Sequence, residues 1–180
     1  MQPMLRASLG AYAALMAYLV VVKLVLTGFP AVFRSPSQAA VFAWPFLLAW
    51  SVLGFTGVFL ADRTGFPAAW GNGISVKQRF LPPTLLGSVL GVLAILTEMR
   101  TGWTKIVAAK MHLPSIHIAL PASILIYPGG AIIVELAYRI FLLPLLLWLI
   151  SSVILRGRAQ ARVFWILAVI TSLIEPLTQD

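Results

Sequence analysis

From Ile116 to Leu155 the chain carries only two charged side chains, Glu135 and Arg139. As one straight helix, these roughly 40 residues would reach about 60 Å, twice the ~30 Å hydrocarbon core of a bilayer. The stretch must therefore cross a membrane, and it must break. The break is expected at Tyr127-Pro128-Gly129-Gly130, because proline removes a backbone donor and tandem glycines weaken a helix. That leaves a full-length span over 131–155 and a partial one over 116–127, either a half-helix or a tilted crossing. Non-helical backbone at that depth survives only when buried in protein or lining a cavity.

The rest of the chain agrees with a bilayer as solvent. Of 180 residues, 61% are hydrophobic and 10% charged, against roughly 25% charged in an ordinary soluble domain. Further spans are expected over 8–28, 39–61, 81–97 and 163–177. The first contains Lys23, which either snorkels to the nearer interface or faces a partner. It is read as retained, since no small-x-small cleavage site follows a short apolar stretch. The third opens with Pro82-Pro83 in its first turn, where proline is tolerated. Its Gly87 and Gly91 form a small-xxx-small pair that would admit a second helix, or are ordinary glycines of a membrane helix. Trp103 to Met111 reads as an amphipathic surface helix. The fold expected is all-α: one integral membrane domain, 1–180, of about five to six transmembrane helices with a broken or re-entrant segment at 116–130.

The charge is +8, but the basic residues stand singly or in threes between apolar runs. That pattern suits loops facing anionic lipid and argues against nucleic acid as a partner. Arg6, Arg63, Lys77, Arg79, Arg156, Arg158 and Arg162 fall on one side of the expected topology, against Arg34, Arg100, Lys105 and Lys110 on the other. The imbalance places the amino terminus in the cytoplasm, provided that 116–155 makes an odd number of crossings. Without cysteine, and with two histidines, a thiolate metal site, a cysteine nucleophile and a His-rich centre are excluded. No cofactor is expected.

One constellation carries chemistry. Glu135 and Arg139 stand four apart, on one helix face, with the acid amino-terminal to the base. Each costs about 2.5–3.5 kcal/mol at the centre of a membrane helix, so they should pair and face the bundle interior. The spacing admits two readings, a structural ion pair that sets helix register or part of an intramembrane active site. Glu175, in the last apolar run beside Pro176, is a plausible second carboxylate for Arg139. One Arg between two Glu would make a satisfied polar network.

The segment from Tyr127 to Arg139 resembles the signature of the CAAX-protease and bacteriocin-processing (CPBP) family of membrane proteins. There a glycine-containing turn precedes Glu-Glu-x-x-x-Arg, and an apolar run with proline and tryptophan follows, as in Leu142-Leu143-Pro144 and Trp148. Phe66 to Leu93, with Trp70-Gly71-Asn72-Gly73-Ile74-Ser75, is similar to the family's segment before its third helix. The likeness covers roughly residues 60 to 178. It implies an intramembrane endopeptidase in a bacterial cytoplasmic (inner) membrane, with zinc a cofactor only if that activity holds.

The chain also departs from the pattern. The family's water-activating carboxylate is the first Glu of its motif, and that position is Val134, which cannot accept a proton. Glu135 and Arg139 match the second Glu and the Arg. The family's Phe-x-x-x-His should fall within 165–178, where no histidine stands, and its His-x-x-x-Asn would lie after Asp180. His112 and His117 precede the signature; His117 reaches the interior only if 116–127 is re-entrant. The expectation is therefore a non-catalytic, degenerate or shortened CPBP-like protein, a pseudoenzyme acting as an accessory or scaffold subunit among other integral membrane subunits. Lys23, Gly87 and Gly91 would offer partner contacts. The alternative is an active endopeptidase in which Glu135, Arg139, Glu175 and His117 are the candidate catalytic residues, rearranged or completed outside this chain.

Overall fold

The computed structural model describes residues 3–29, 40–66, 75–112, 118 and 120–177. They form helices α1 (Pro3–Gly28), α2 (Trp44–Arg63), α3 (Val76–Thr101), α4 (Trp103–Lys110), α5 (Ala122–Ile154) and α6 (Gln160–Leu177). No strand occurs among the described residues. Four of the helices, α1, α2, α3 and α5, are long and apolar enough to cross a bilayer. This is an all-α polytopic membrane protein. The chain divides into two compact units, one of Met1–Ala68 with Ile124–Asp180 and the other of Ala69–Ser123.

The first unit holds α1, α2, nearly all of α5, and α6. Along α1 the buried positions Tyr12, Leu19, Val22 and Leu26 recur at helical spacing, so one stripe faces the other helices. The Tyr12 hydroxyl donates to the Ser51 carbonyl of α2 at 2.5 Å, and the Tyr18 hydroxyl to the Leu125 carbonyl of α5 at 3.0 Å. Tyrosine suits this role, an apolar body that packs and a polar tip that must find a partner. Between α2 and α5 the approach is closer still. A β-carbon at Gly57 would overlap the Ile140 carbonyl oxygen, and one at Gly54 would stand 3.1 Å from the Leu136 side chain of α5 and 2.6 Å from the Tyr12 ring of α1. Only glycine fits at Gly57, since backbone meets backbone there.

α5 corrects the expected break. It runs unbroken through Tyr127-Pro128-Gly129-Gly130 for 33 residues, about 50 Å at helical rise, and what lies ahead of Ala122 is not helical where described. Pro128 costs α5 a single backbone hydrogen bond, which membrane helices tolerate. Gly129 is used for packing and not for a turn, because a β-carbon there would stand 2.9 Å from the Phe42 ring. The irregularity lies further along, in two stretches of π-helix, Leu136–Leu142 and Trp148–Ile154. The first ends just before Pro144, which has no N–H to give the Ile140 carbonyl four residues earlier. The wider register appears where the Leu143 N–H bonds the Tyr138 carbonyl.

The second unit contains α3 and α4. α3 starts at Val76 rather than Leu81, because Ser75 and Gln78 close a capping box: the Gln78 N–H donates to Ser75 Oγ at 3.2 Å and the Ser75 N–H to Gln78 Oε1 at 2.9 Å. Two orphan donors are satisfied reciprocally, which carries the helix start upstream. Pro82 and Pro83 consequently sit inside the helix and not in its first turn. Gly102, at φ +57°, ends α3 in the left-handed conformation that glycine adopts without strain. It leads directly into α4, whose Thr104 N–H and hydroxyl both donate to the Glu98 carboxylate.

Candidate functional site: an ion triad at the middle of a long span

Arg139 lies within a residue of the midpoint of α5, and Glu135 one turn before it. Arg139 Nε meets Glu135 Oε2 at 2.9 Å. A terminal guanidinium nitrogen of Arg139 lies 3.7 Å from Glu175 Oε2 on α6. Glu135 and Arg139 are therefore bridged within one turn, and Glu175 arrives from a second helix.

The sequence folds this way because α5 and α6 form an antiparallel hairpin. Arg139 stands fifteen residues before Ile154, and Glu175 fifteen residues after Gln160. Equal arms of roughly 20 Å on either side of the turn bring the two to the same level. Rotation about the helix axes is set by apolar rows four residues apart. Val163, Leu167 and Thr171 are buried along α6, and Glu175 is the next position of that row. On α5 the facing row is Leu143, Leu147 and Ser151, all buried. Leu147 packs directly with Val163 and Leu167.

The triad is not enclosed by its own bundle. The side chains of Arg139 and Glu135 are 52% and 47% exposed, and that of Glu175 is 21% exposed. Two carboxylates against one guanidinium leave one formal negative charge on this face. Zinc does not suit the arrangement. It takes three or four N, O or S ligands, whereas here a cation lies between the two carboxylates. No group of three His, Cys, Asp or Glu able to hold a metal occurs among the described residues.

The other sequence candidates fall elsewhere. His117 lies outside the described residues. His112 is exposed after the end of α4, with φ +55°. Lys23 is half-buried in α1, its carbonyl accepting from the Thr27 hydroxyl at 2.8 Å. Gly87 and Gly91 face open space, with nothing within 4 Å of a β-carbon at either position. The glycines that carry close packing are Gly54 and Gly57, which the sequence reading passes over, and Gly129, which it assigns to a break. Gly54-Phe55-Thr56-Gly57 was a legible signal, since small residues on a membrane helix mark places where backbones approach.

The chain matches no protein-family model, no curated protein and no solved structure.

Proposed function

We propose that this protein is a non-catalytic, CPBP-like subunit of the membrane, and that the Glu135–Arg139–Glu175 face is where another integral membrane subunit docks. The carrying observation is the half-exposed triad at the centre of a 33-residue span. Charged groups at that depth cost about 2.5–3.5 kcal/mol each when left to hydrocarbon, so a polar neighbour belongs against them. The polar and charged character of that face suits a transmembrane helix bearing a polar or charged side chain. Val134 supports the non-catalytic reading, because it stands where the resemblance requires the carboxylate that activates water. By the charge count the amino terminus faces the cytoplasm, with a single α5 crossing as the odd number that count requires, and the resemblance implies a bacterial inner membrane.

The test is extraction in mild detergent followed by identification of copurifying membrane proteins, with wild type beside a triad-free variant (Glu135→Leu, Arg139→Met, Glu175→Leu). A stable partner lost in that variant is the expected result. A solitary monomer after gentle extraction counts against the reading.

One observation favours the alternative, an active intramembrane endopeptidase. Arg139 lies inside the π-helical stretch Leu136–Leu142, and single π turns inside α-helices concentrate at functional sites. That reading requires purified protein to cleave a membrane-proximal peptide and Glu135→Gln to abolish the cleavage while leaving the fold intact. Wild-type protein that cleaves nothing, with or without added zinc, would eliminate it.

A further inference from the structure

The first unit has a second polar feature at the opposite end of the α5–α6 hairpin. There α2 ends at Arg63 and is followed by Gly65 and Phe66, while the turn 155–159 leads into α6. An open cleft of about 510 Å³ lies between them, lined by Gly65, Leu147, Gln160, Ala161, Phe164 and Trp165. That is within the range of sites for small organic ligands.

The cleft has two chemically different ends. Its inner wall is Leu147, seven residues from the end of α5, and the Phe164 and Trp165 rings, four and five residues into α6. It therefore reaches about 10 Å inward from the helix ends. Phe66 and Phe164 meet edge to face at 5.4 Å, and Phe164 and Trp165 at 5.3 Å. No arginine lines the cleft itself, but Arg63, Arg156, Arg158 and Arg162 are exposed within four residues of lining positions along the chain, against one exposed acid among the described residues there, Asp62. Four positive charges less one negative leave a local excess of three.

The rim is held in place. Gly157 donates its N–H to the Ser151 carbonyl at 2.7 Å, and the buried Ser151 hydroxyl donates to the Arg158 carbonyl at 3.3 Å. Arg156, Gly157 and Ala159 all carry φ between +52° and +80°, a conformation that costs non-glycine residues energy and is kept only where surroundings impose it. Two arginines are thus presented from a fixed turn and not from a loose tail.

We infer that this cleft binds an anionic phospholipid, its phosphate on the Arg63/Arg156/Arg158/Arg162 rim and an acyl chain along Leu147, Phe164 and Trp165. A water-soluble anion would use the rim and leave the apolar wall without a function. A neutral lipid would use the wall and leave the excess charge unmatched. Only an amphiphile with an anionic head matches both ends, and the bilayer around these helices supplies it.

The experiment is lipid retention by the purified full chain, measured by native mass spectrometry after release from phosphatidylcholine nanodiscs doped with phosphatidylglycerol. Wild type is expected to keep phosphatidylglycerol in preference to phosphatidylcholine. Each arginine removed should lower that preference about fivefold, the ratio equivalent to the ~1 kcal/mol one cation contributes near an anionic surface. Arg156→Gln with Arg158→Gln and Arg162→Gln should lower it about a hundredfold. Because those changes also alter the charge that orients the helices, Ala161→Trp serves as a second variant. It fills the cleft, keeps every arginine, and should likewise remove the preference for phosphatidylglycerol. Equal retention of the two lipids by wild type, or wild-type selectivity in Ala161→Trp, would overturn the inference. Inorganic phosphate displacing the lipid or raising the melting temperature by itself would overturn it too, in favour of a free-anion site.

Discussion

Gly57 of α2 lies against the backbone carbonyl of Ile140 on α5, so close that a β-carbon would overlap the oxygen and stand 2.9 Å from the Phe141 α-carbon. The contact joins the middle of one span to the π-helical stretch of another, one residue from Arg139.

Gly57→Ala is therefore expected to destabilise the protein by about 1–3 kcal/mol, the usual range for overpacking. Neither helix backbone can give way as a flexible side chain would. Thermal unfolding in detergent checks this, with Gly87→Ala as the control. Gly87 has nothing within 4 Å, so alanine there should be neutral, or stabilising by about 0.5–1 kcal/mol through helix propensity.

At the ion triad, single and multiple substitutions should part company. Arg139→Met leaves two carboxylates facing each other and should cost on the order of 2–4 kcal/mol, somewhat below the range for breaking a fully buried pair because the triad is half-exposed. Adding Glu135→Leu and Glu175→Leu should recover most of that loss, since an all-apolar face suits both helix packing and lipid. Unfolding midpoints of the two variants decide it. A triple variant no better than Arg139→Met would mean the carboxylates have other obligations.

Removal of the Tyr18 hydroxyl isolates the polar link between α1 and α5. Tyr18→Phe keeps the ring and deletes the donor to the Leu125 carbonyl. The expected cost is about 0.6 kcal/mol, up to ~1.7, as for side-chain hydrogen bonds between membrane helices. A midpoint shift in a chemical-denaturation series, with unchanged helix content, is the readout.

Ser75→Ala should act locally. It removes one half of the capping box at the start of α3, worth about 1 kcal/mol. Hydrogen exchange is expected to quicken over residues 76–80, the first turns of that helix. Amides of α1 and α6 should exchange at the wild-type rate.

The residues of the triad were legible before the fold was known, and the glycines that frame them were not. Glu135, Arg139 and Glu175 stand out because charges are so scarce in apolar runs that each one needs a neighbour. Glycines are common in membrane helices, so Gly87/Gly91 and Gly54/Gly57 look alike in sequence. Their difference lies in which faces meet, and the structure leaves the first pair open and presses the second onto a carbonyl. The capping box at Ser75 was a readable signal, outweighed by the tandem prolines that mark helix starts elsewhere.

What the sequence determined by itself is the solvent and the all-helical class of the fold. Runs of apolar residues with almost no charge demand a bilayer, and in a bilayer each backbone segment must satisfy its own hydrogen bonds, so helices follow. Tertiary structure alone decided where the longest run breaks. Tyr127-Pro128-Gly129-Gly130 carries every local mark of an interruption, yet α5 passes through it, because Gly129 is used against Phe42 and one missing donor is a small loss. The irregularity moved to the π-helical stretch around Arg139, just ahead of Pro144 and against Gly57 of α2. Local chemistry weighs each residue against its near neighbours; packing weighs it against a second helix, and here the second helix prevailed.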